Sequence, residues 1–123
     1  MRVLVCGGRD YCDYETIKRV LDDLHAEHPI EAVIHGNSRG ADRLSGVWAK
    51  LRNVPCWPVP AQWAKYGKAA GPKRNQAMLG HRPALVVAFP GGNGTADMIR
   101  RAKAASIPVH EVQPLPSPPG ASE

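Results

Sequence analysis

Four short segments carry residue types that could hold a phosphorylated ligand. The densest is Phe89-Pro90-Gly91-Gly92-Asn93-Gly94-Thr95-Ala96-Asp97. Three glycines in four positions leave the backbone bare, and amides at the start of a following helix make an anion site. The Thr95 hydroxyl adds a donor. A purely structural turn rarely needs Gly91, Gly92 and Gly94 together, so Pro90, Gly91, Gly92, Gly94 and Thr95 are read as a phosphate site. No Lys follows the last glycine, which excludes a Walker loop.

The other segments are less specific. Gly7-Gly8-Arg9-Asp10-Tyr11 offers close backbone approach and, in Arg9, a planar guanidinium suited to phosphate. Its structural alternative is a tight turn with a surface Arg9–Asp10 ion pair. It is not GxGxxG, so the ordinary dinucleotide fingerprint is absent. In His35-Gly36-Asn37-Ser38-Arg39-Gly40-Ala41-Asp42, two glycines flank short polar residues. Asn37 and Ser38 could donate and Arg39 could pair with an anion. Asp42 reads as a first-turn acid that favours the helix dipole, and it could hold a ribose hydroxyl. His35 reads as a satisfied strand-end histidine.

A longer connection runs from Ala61 to Lys73. Trp63 and Tyr66 could stack on a base, while Lys68, Lys73 and Arg74 could neutralise phosphate. The plainer alternatives are a Trp63 that caps the core and a solvated basic face. Arg74 is the strongest contact of the group, because it begins a helix after Gly71-Pro72.

Positioning these segments requires strands that end where they begin. Five apolar runs are predicted strands: Val3–Cys6, Ala32–His35, Val54–Pro58, Leu85–Phe89 and Val109–Val112. Their continuous apolar character suggests burial on both faces, as in a parallel sheet. Between them, Tyr14, Ile17, Leu21 and Leu24 follow helical spacing, with Asp13 as the predicted N-cap. Leu44, Val47, Trp48 and Leu51 form a second stripe. Met98, Ile99, Ala102 and Ala105 form another, and 74–79 reads as a shorter helix. This order predicts a three-layer α/β/α Rossmann-like sandwich around a mainly parallel five-stranded sheet. Such folds bind ligands beyond the carboxyl ends of the strands, where all four segments fall.

Composition sets the outer limits. The 123 residues are one domain's worth. Apolar residues make 43% and charged residues 22%, which excludes a disordered or collagenous chain. The net charge of +5 permits anionic partners and is also ordinary for solubility. Cys6, Cys12 and Cys56 are odd in number and lack CxxC spacing, so a disulfide scaffold or zinc site is not expected, and a reduced cytoplasm is the expected setting. No signal peptide or membrane span is legible. The five histidines show no ligand spacing, so no metal or resident cofactor is expected. Residues 1–112 are expected to form the folded domain and 113–123, rich in proline, a disordered tail. Trp48 and Trp57, with Leu51, read as apolar surface for a homodimer or higher oligomer.

The chain resembles the SLOG superfamily of Rossmann-like nucleotide-binding proteins, in its small YspA-like branch. The resemblance rests on Gly-Gly-Arg-Asp-Tyr, His-Gly-x-x-x-Gly-Ala-Asp, Gly-Lys-Ala-Ala-Gly-Pro-x-Arg-Asn and Phe-Pro-Gly-Gly-x-Gly-Thr, in order, and covers the chain to about Val112. The last motif is shared with the Lonely Guy phosphoribohydrolases and has relatives in the DNA-processing protein A family, which binds single-stranded DNA. The resemblance implies a nucleotide or nucleotide derivative with its phosphate on Gly91, Gly92, Gly94 and Thr95. In the Lonely Guy enzymes an arginine and a glutamate cleave the base–ribose bond. The arginine's counterpart here is Arg74; the glutamate's position holds Met98, with Asp97 one residue earlier.

Breaking an N-glycosidic bond builds positive charge on the ribose, so a carboxylate is the expected catalyst. Methionine supplies none, and Asp97 reads more readily as a helix cap. The preferred function is therefore a module that senses or sequesters a nucleotide-derived ligand. Two alternatives stand beside it. One is N-glycosidic hydrolysis of a nucleoside monophosphate, with Arg74 and Asp97 as catalysts and Arg9 or Lys73 orienting phosphate. The other is single-stranded nucleic-acid binding through Trp63, Tyr66, Lys65 and Lys68, ranked last because the basic residues are scattered along the chain.

Overall fold

A computed structural model describes residues 1–114. The expected tail lies almost wholly outside the described residues. Five strands, β1 (Arg2–Cys6), β2 (Ala32–His35), β3 (Cys56–Pro58), β4 (Leu85–Ala88) and β5 (Val109–Glu111), form one parallel sheet in the order β3-β2-β1-β4-β5. The helices are α1 (Tyr14–Glu27), α2 (Ala41–Leu51), α3 (Trp63–Tyr66), α4 (Ala70–Leu79) and α5 (Asn93–Ala104).

The apolar strands are continuous because both faces of the sheet are covered. Side chains alternate across a strand, so β1 divides cleanly. Val3 and Val5 pack with Ile17, Leu21, Val33, Trp48 and Phe89. Leu4 and Cys6 pack on the other face with Ile34, Met78, Val86, Met98 and Ala102. The first set takes α1 and α2; the second takes α4 and α5.

Local signals explain the helix ends. Asp13 caps α1: its Oδ1 accepts from the Thr16 amide at 3.1 Å and its Oδ2 from the Thr16 hydroxyl at 2.6 Å. Gly40 precedes α2 with φ +82, and a Cβ there would collide with the Gly8 carbonyl and sit 2.6 Å from that of Arg9. Only glycine satisfies both conditions.

Three expectations are corrected. The 61–73 connection is not simply a loop, because α3, a 3-10 turn over Gly67–Ala69 and the first turn of α4 occupy it. Gly71 and Pro72 do not break α4; Pro72 sits in its first turn, where a missing amide hydrogen costs nothing. The α2 stripe is rotated: Ala41, Ser45, Trp48 and Ala49 are buried while Val47 and Leu51 face outward. Trp48 is therefore not interface surface. It is fully buried, and its Nε1 donates at 2.8 Å to Asp22, which also receives Arg52 at 2.9 Å. Trp57 is half-buried, with the Arg2 guanidinium 5.1 Å from its ring centroid.

Trp48→Ala should lower the unfolding free energy by about 3–5 kcal/mol, through cavity and lost packing. Urea titration would show this as a lower midpoint with an unchanged slope.

Candidate functional site

The strand order places β1 and β4 side by side at the sheet centre, in register from Val3↔Leu85 to Cys6↔Ala88. The chain runs outward from β1 in one direction and from β4 in the other. Their carboxyl ends form the topological switch point, where the loops diverge and leave a crevice. A cleft of about 690 Å³ opens there, between the Gly7–Arg9 turn, α4 and the start of α5. That volume suits a small organic ligand.

One wall is the start of α5. Gly92 precedes this helix, whose first intrahelical acceptor in use is the Gly92 carbonyl, taken by the Ala96 amide at 3.0 Å. Among the described residues, the amides of Asn93, Gly94 and Thr95 donate to no protein acceptor. They are the orphan donors of a helix start. Gly92, Asn93, Gly94 and Thr95 all line the cleft. Beyond its chain neighbours and its own helix backbone, a Cβ added at Gly92 or Gly94 would meet no atom of the described residues within 4 Å, and neither has positive φ. The fold alone does not require glycine at these two positions. Gly91 differs, since a Cβ there would press on the Thr95 hydroxyl and lie 2.7 Å from the Gly8 nitrogen.

A polar network joins this wall to α4. Buried Asn75 donates through Nδ2 to the Gly94 carbonyl at 3.1 Å and to Asp97 Oδ2 at 3.0 Å. Asp97 also accepts from Arg101 at 2.8 Å and from Arg100. Burial pushes the Asp97 carboxyl upward, but the bonds from Asn75 and Arg101 and the charges of both arginines outweigh it and hold it below the usual carboxylate range. Asp97 sits beyond the first turn of α5 and does not cap the helix. Met98 is fully buried against the sheet. A carboxylate at 98 would enter the core, not the cleft.

Arg74 is tied down from both sides. Its Nη1 donates to the Gly36 carbonyl at 2.8 Å and its Nε to Asn75 Oδ1 at 3.0 Å. Burial lowers its pKa, opposed by Asp42. Asp42 Oδ2 accepts the amides of Gly36 at 3.1 Å and Ser38 at 3.3 Å, so its carboxylate closes the β2–α2 loop from within. Burial pushes the Asp42 carboxyl up to about 6, against the opposing pull of those amides and of Arg74. Cys6, on the cleft floor, is raised to about 12 by burial and remains a thiol. His35 is lowered by burial and by Arg43, and its Nδ1 accepts the Asn37 amide at 2.9 Å.

Of the residues singled out in the sequence, Gly7, Gly8, Arg9, Ser38, Asp42, Trp63, Arg74, Gly92, Gly94, Thr95 and Asp97 line the cleft. Gly36, Asn37, Lys73, Tyr66, Pro90 and Gly91 lie behind or outside it. Arg39 turns away to an exposed ion pair with Asp10 at 3.0 Å, so the Arg9–Asp10 pair of the structural alternative does not form. Arg9 instead places its guanidinium 5.6 Å from the Trp63 ring centroid. The residues missed include Asn75, Met78, Asn93, Ala96 and Arg100. Asn75 follows Arg74 directly, and Arg100 stands one turn beyond Asp97, a spacing that pairs side chains on a helix.

Comparison with known proteins places the chain in a family and the fold among solved structures. The model of the YspA, cpYpsA-related SLOG family matches residues 1–66. The Gene 61 protein of Mycobacterium phage D29 is 37% identical over 116 residues, which is 88% of this chain and 93% of that protein. The chain therefore belongs to the YspA, cpYpsA-related SLOG family. DNA processing protein A from Streptococcus pneumoniae superposes with a TM-score of 0.75 at 16% identity, over 93% of this chain. This chain spans half of that one, and the likeness is one of fold.

The buried Asp42 predicts a pH dependence of stability. Its folded form holds a proton more tightly than the unfolded chain does. Stability is therefore expected to fall as pH rises from about 4 to about 6. Asp42→Asn should flatten that slope, measured by urea unfolding at stepped pH.

Proposed function

We propose that this SLOG-family chain binds a nucleotide or nucleotide-derived ligand, as a sensing or sequestering module. The phosphate sits on the free amides of Asn93, Gly94 and Thr95, with Gly7 and Gly8 bare beneath it. Arg9 supplies charge at the opposite rim, and Trp63 offers a face for the base. The observation that carries this reading is the pair Gly92 and Gly94. Both face the cleft, and a side chain at either has room within the protein. Their bareness serves something outside the chain.

Binding is favoured over N-glycosidic hydrolysis by the state of the carboxylates. Asp97 is held by Asn75, Arg100 and Arg101 below its usual range, which weakens it as a proton acceptor. Asp42 is committed to two backbone amides. Cys6, as a thiol, is no nucleophile. The setting we infer is a reduced cytoplasm; among the described residues no helix is long and apolar enough to cross a membrane. A homo-oligomer belongs to the same proposal, with Val47 and Leu51 as its apolar surface.

Calorimetry against a panel of nucleoside mono-, di- and triphosphates should find at least one that binds. No heat with any member, from a folded protein, would contradict the proposal. Gly94→Ala should leave the chain folded and raise its stability by up to about 1 kcal/mol, while weakening that binding at least tenfold. Incubation of the wild type with the nucleotide bound should release no free base by chromatography. Turnover abolished by Arg74→Ala or Asp97→Asn would instead establish the hydrolase reading.

A further inference from the structure

A second surface adjoins the cleft. From Arg43 to Ala96 the chain holds no Asp or Glu, yet carries half of its 16 Lys and Arg. Within this run, α3, the 3-10 turn and the start of α4 form one rim of the cleft. Tyr66 is exposed there, with the ammonium of Lys65 5.0 Å and that of Lys73 4.8 Å from its ring centroid. Lys68 lies on the turn between them and is exposed as well. None of these lysines enters an ion pair among the described residues. The basic residues that look scattered in the sequence are thus partly gathered at one rim.

This surface is continuous with the cleft. Trp63 lines the cleft, and Tyr66 follows it by one helical step, a separation that leaves side chains as neighbours. Pro72 and Arg74 line the cleft on either side of Lys73. Exposed aromatics interleaved with unpaired cations suit a chain of alternating bases and phosphates, because every base has a π-face and every linkage a negative charge. A lone nucleoside phosphate inside the cleft would leave Tyr66 and its lysines unused.

We propose that the ligand is a single strand of two or more linked nucleotides. Its terminal nucleoside phosphate occupies the cleft, its next base stacks on Tyr66, and the linkage between them runs past Lys65, Lys68 and Lys73. This rests on the nucleotide reading of the cleft and extends it outward.

The test is a length ladder. Homo-oligonucleotides of each base, of one, two and four nucleotides with a terminal phosphate, are titrated into the full chain by calorimetry. Affinity should rise about tenfold from one nucleotide to two, and the gain should shrink as salt rises. Tyr66→Ala should abolish the gain while leaving mononucleotide affinity unchanged; Lys65→Gln with Lys73→Gln should reduce its salt dependence. Circular dichroism confirms that each variant is folded, and Tyr66→Phe should keep the gain. Mononucleotide binding with no rise on lengthening, or a rise that survives Tyr66→Ala, would overturn the strand proposal alone. Binding of dimers without monomers would overturn the mononucleotide reading and keep the strip. Absence of binding at every length would overturn both.

Discussion

Three loops meet backbone to backbone at Gly8. Its amide donates to the Pro90 carbonyl at 2.9 Å, and its carbonyl accepts from the Ala41 amide at 3.2 Å. The turn after β1 is thereby stitched to the loop after β4 on one side and to the start of α2 on the other. The approach is close enough that a Cβ on Gly8 would stand 2.9 Å from the Pro90 carbonyl, and one on Gly7 2.6 Å from the Ala41 Cβ. These glycines are fixed by the protein's own packing. They differ from Gly92 and Gly94, which the packing leaves free. The stitched turn sets where the cleft floor lies, and hence how near a ligand can come to α5.

The cleft is built with its charges already partnered. Asn75 joins Arg74 to Asp97 and to the Gly94 carbonyl, so the two helices that flank the cleft share one hydrogen-bonded hub. A buried amide satisfied on both sides fixes geometry more than it adds energy, because protein bonds replace bonds to water. The consequence for chemistry is direct. Of the pair a hydrolase would use, Asp97 serves here to hold α5 to Asn75 on α4, and Arg74 ties α4 to the Gly36 carbonyl after β2. The cations outside this hub are exposed Arg9, on Trp63, and, unpaired among the described residues, Lys65, Lys68 and Lys73 around Tyr66. An arrangement with committed carboxylates and available cations suits holding an anion more than cleaving a bond.

Much of this was legible in the sequence. The apolar runs gave the five strands because burial on both faces leaves a continuous pattern, and Asp13 marked the start of α1 through its cap. The bare turn that opens α5 was legible because three glycines in four positions, followed by Thr95, mark a strand handing over to a helix. Side-chain direction was not. Arg39 and Arg9 are two residues of one type at two strand ends, and nothing in their spacing tells which one pairs with Asp10 and which stacks on Trp63. Asn75 escaped notice as a hub since its partners lie 19 and 22 residues away on another helix. Trp48 was misplaced because two flanking aliphatics, Val47 and Leu51, make a stripe as regular as the true one formed with Ala41, Ser45 and Ala49.

The central claim is that a nucleotide phosphate rests on the free amides at the start of α5. Amide chemical shifts followed by NMR during nucleotide titration test it residue by residue. The account predicts that the largest changes fall on Asn93, Gly94 and Thr95, with Gly7 and Gly8 next, while α1 and α2 stay still. Saturable binding whose largest shifts lie on α1, α2 or β5, with the α5 amides unmoved, would contradict it.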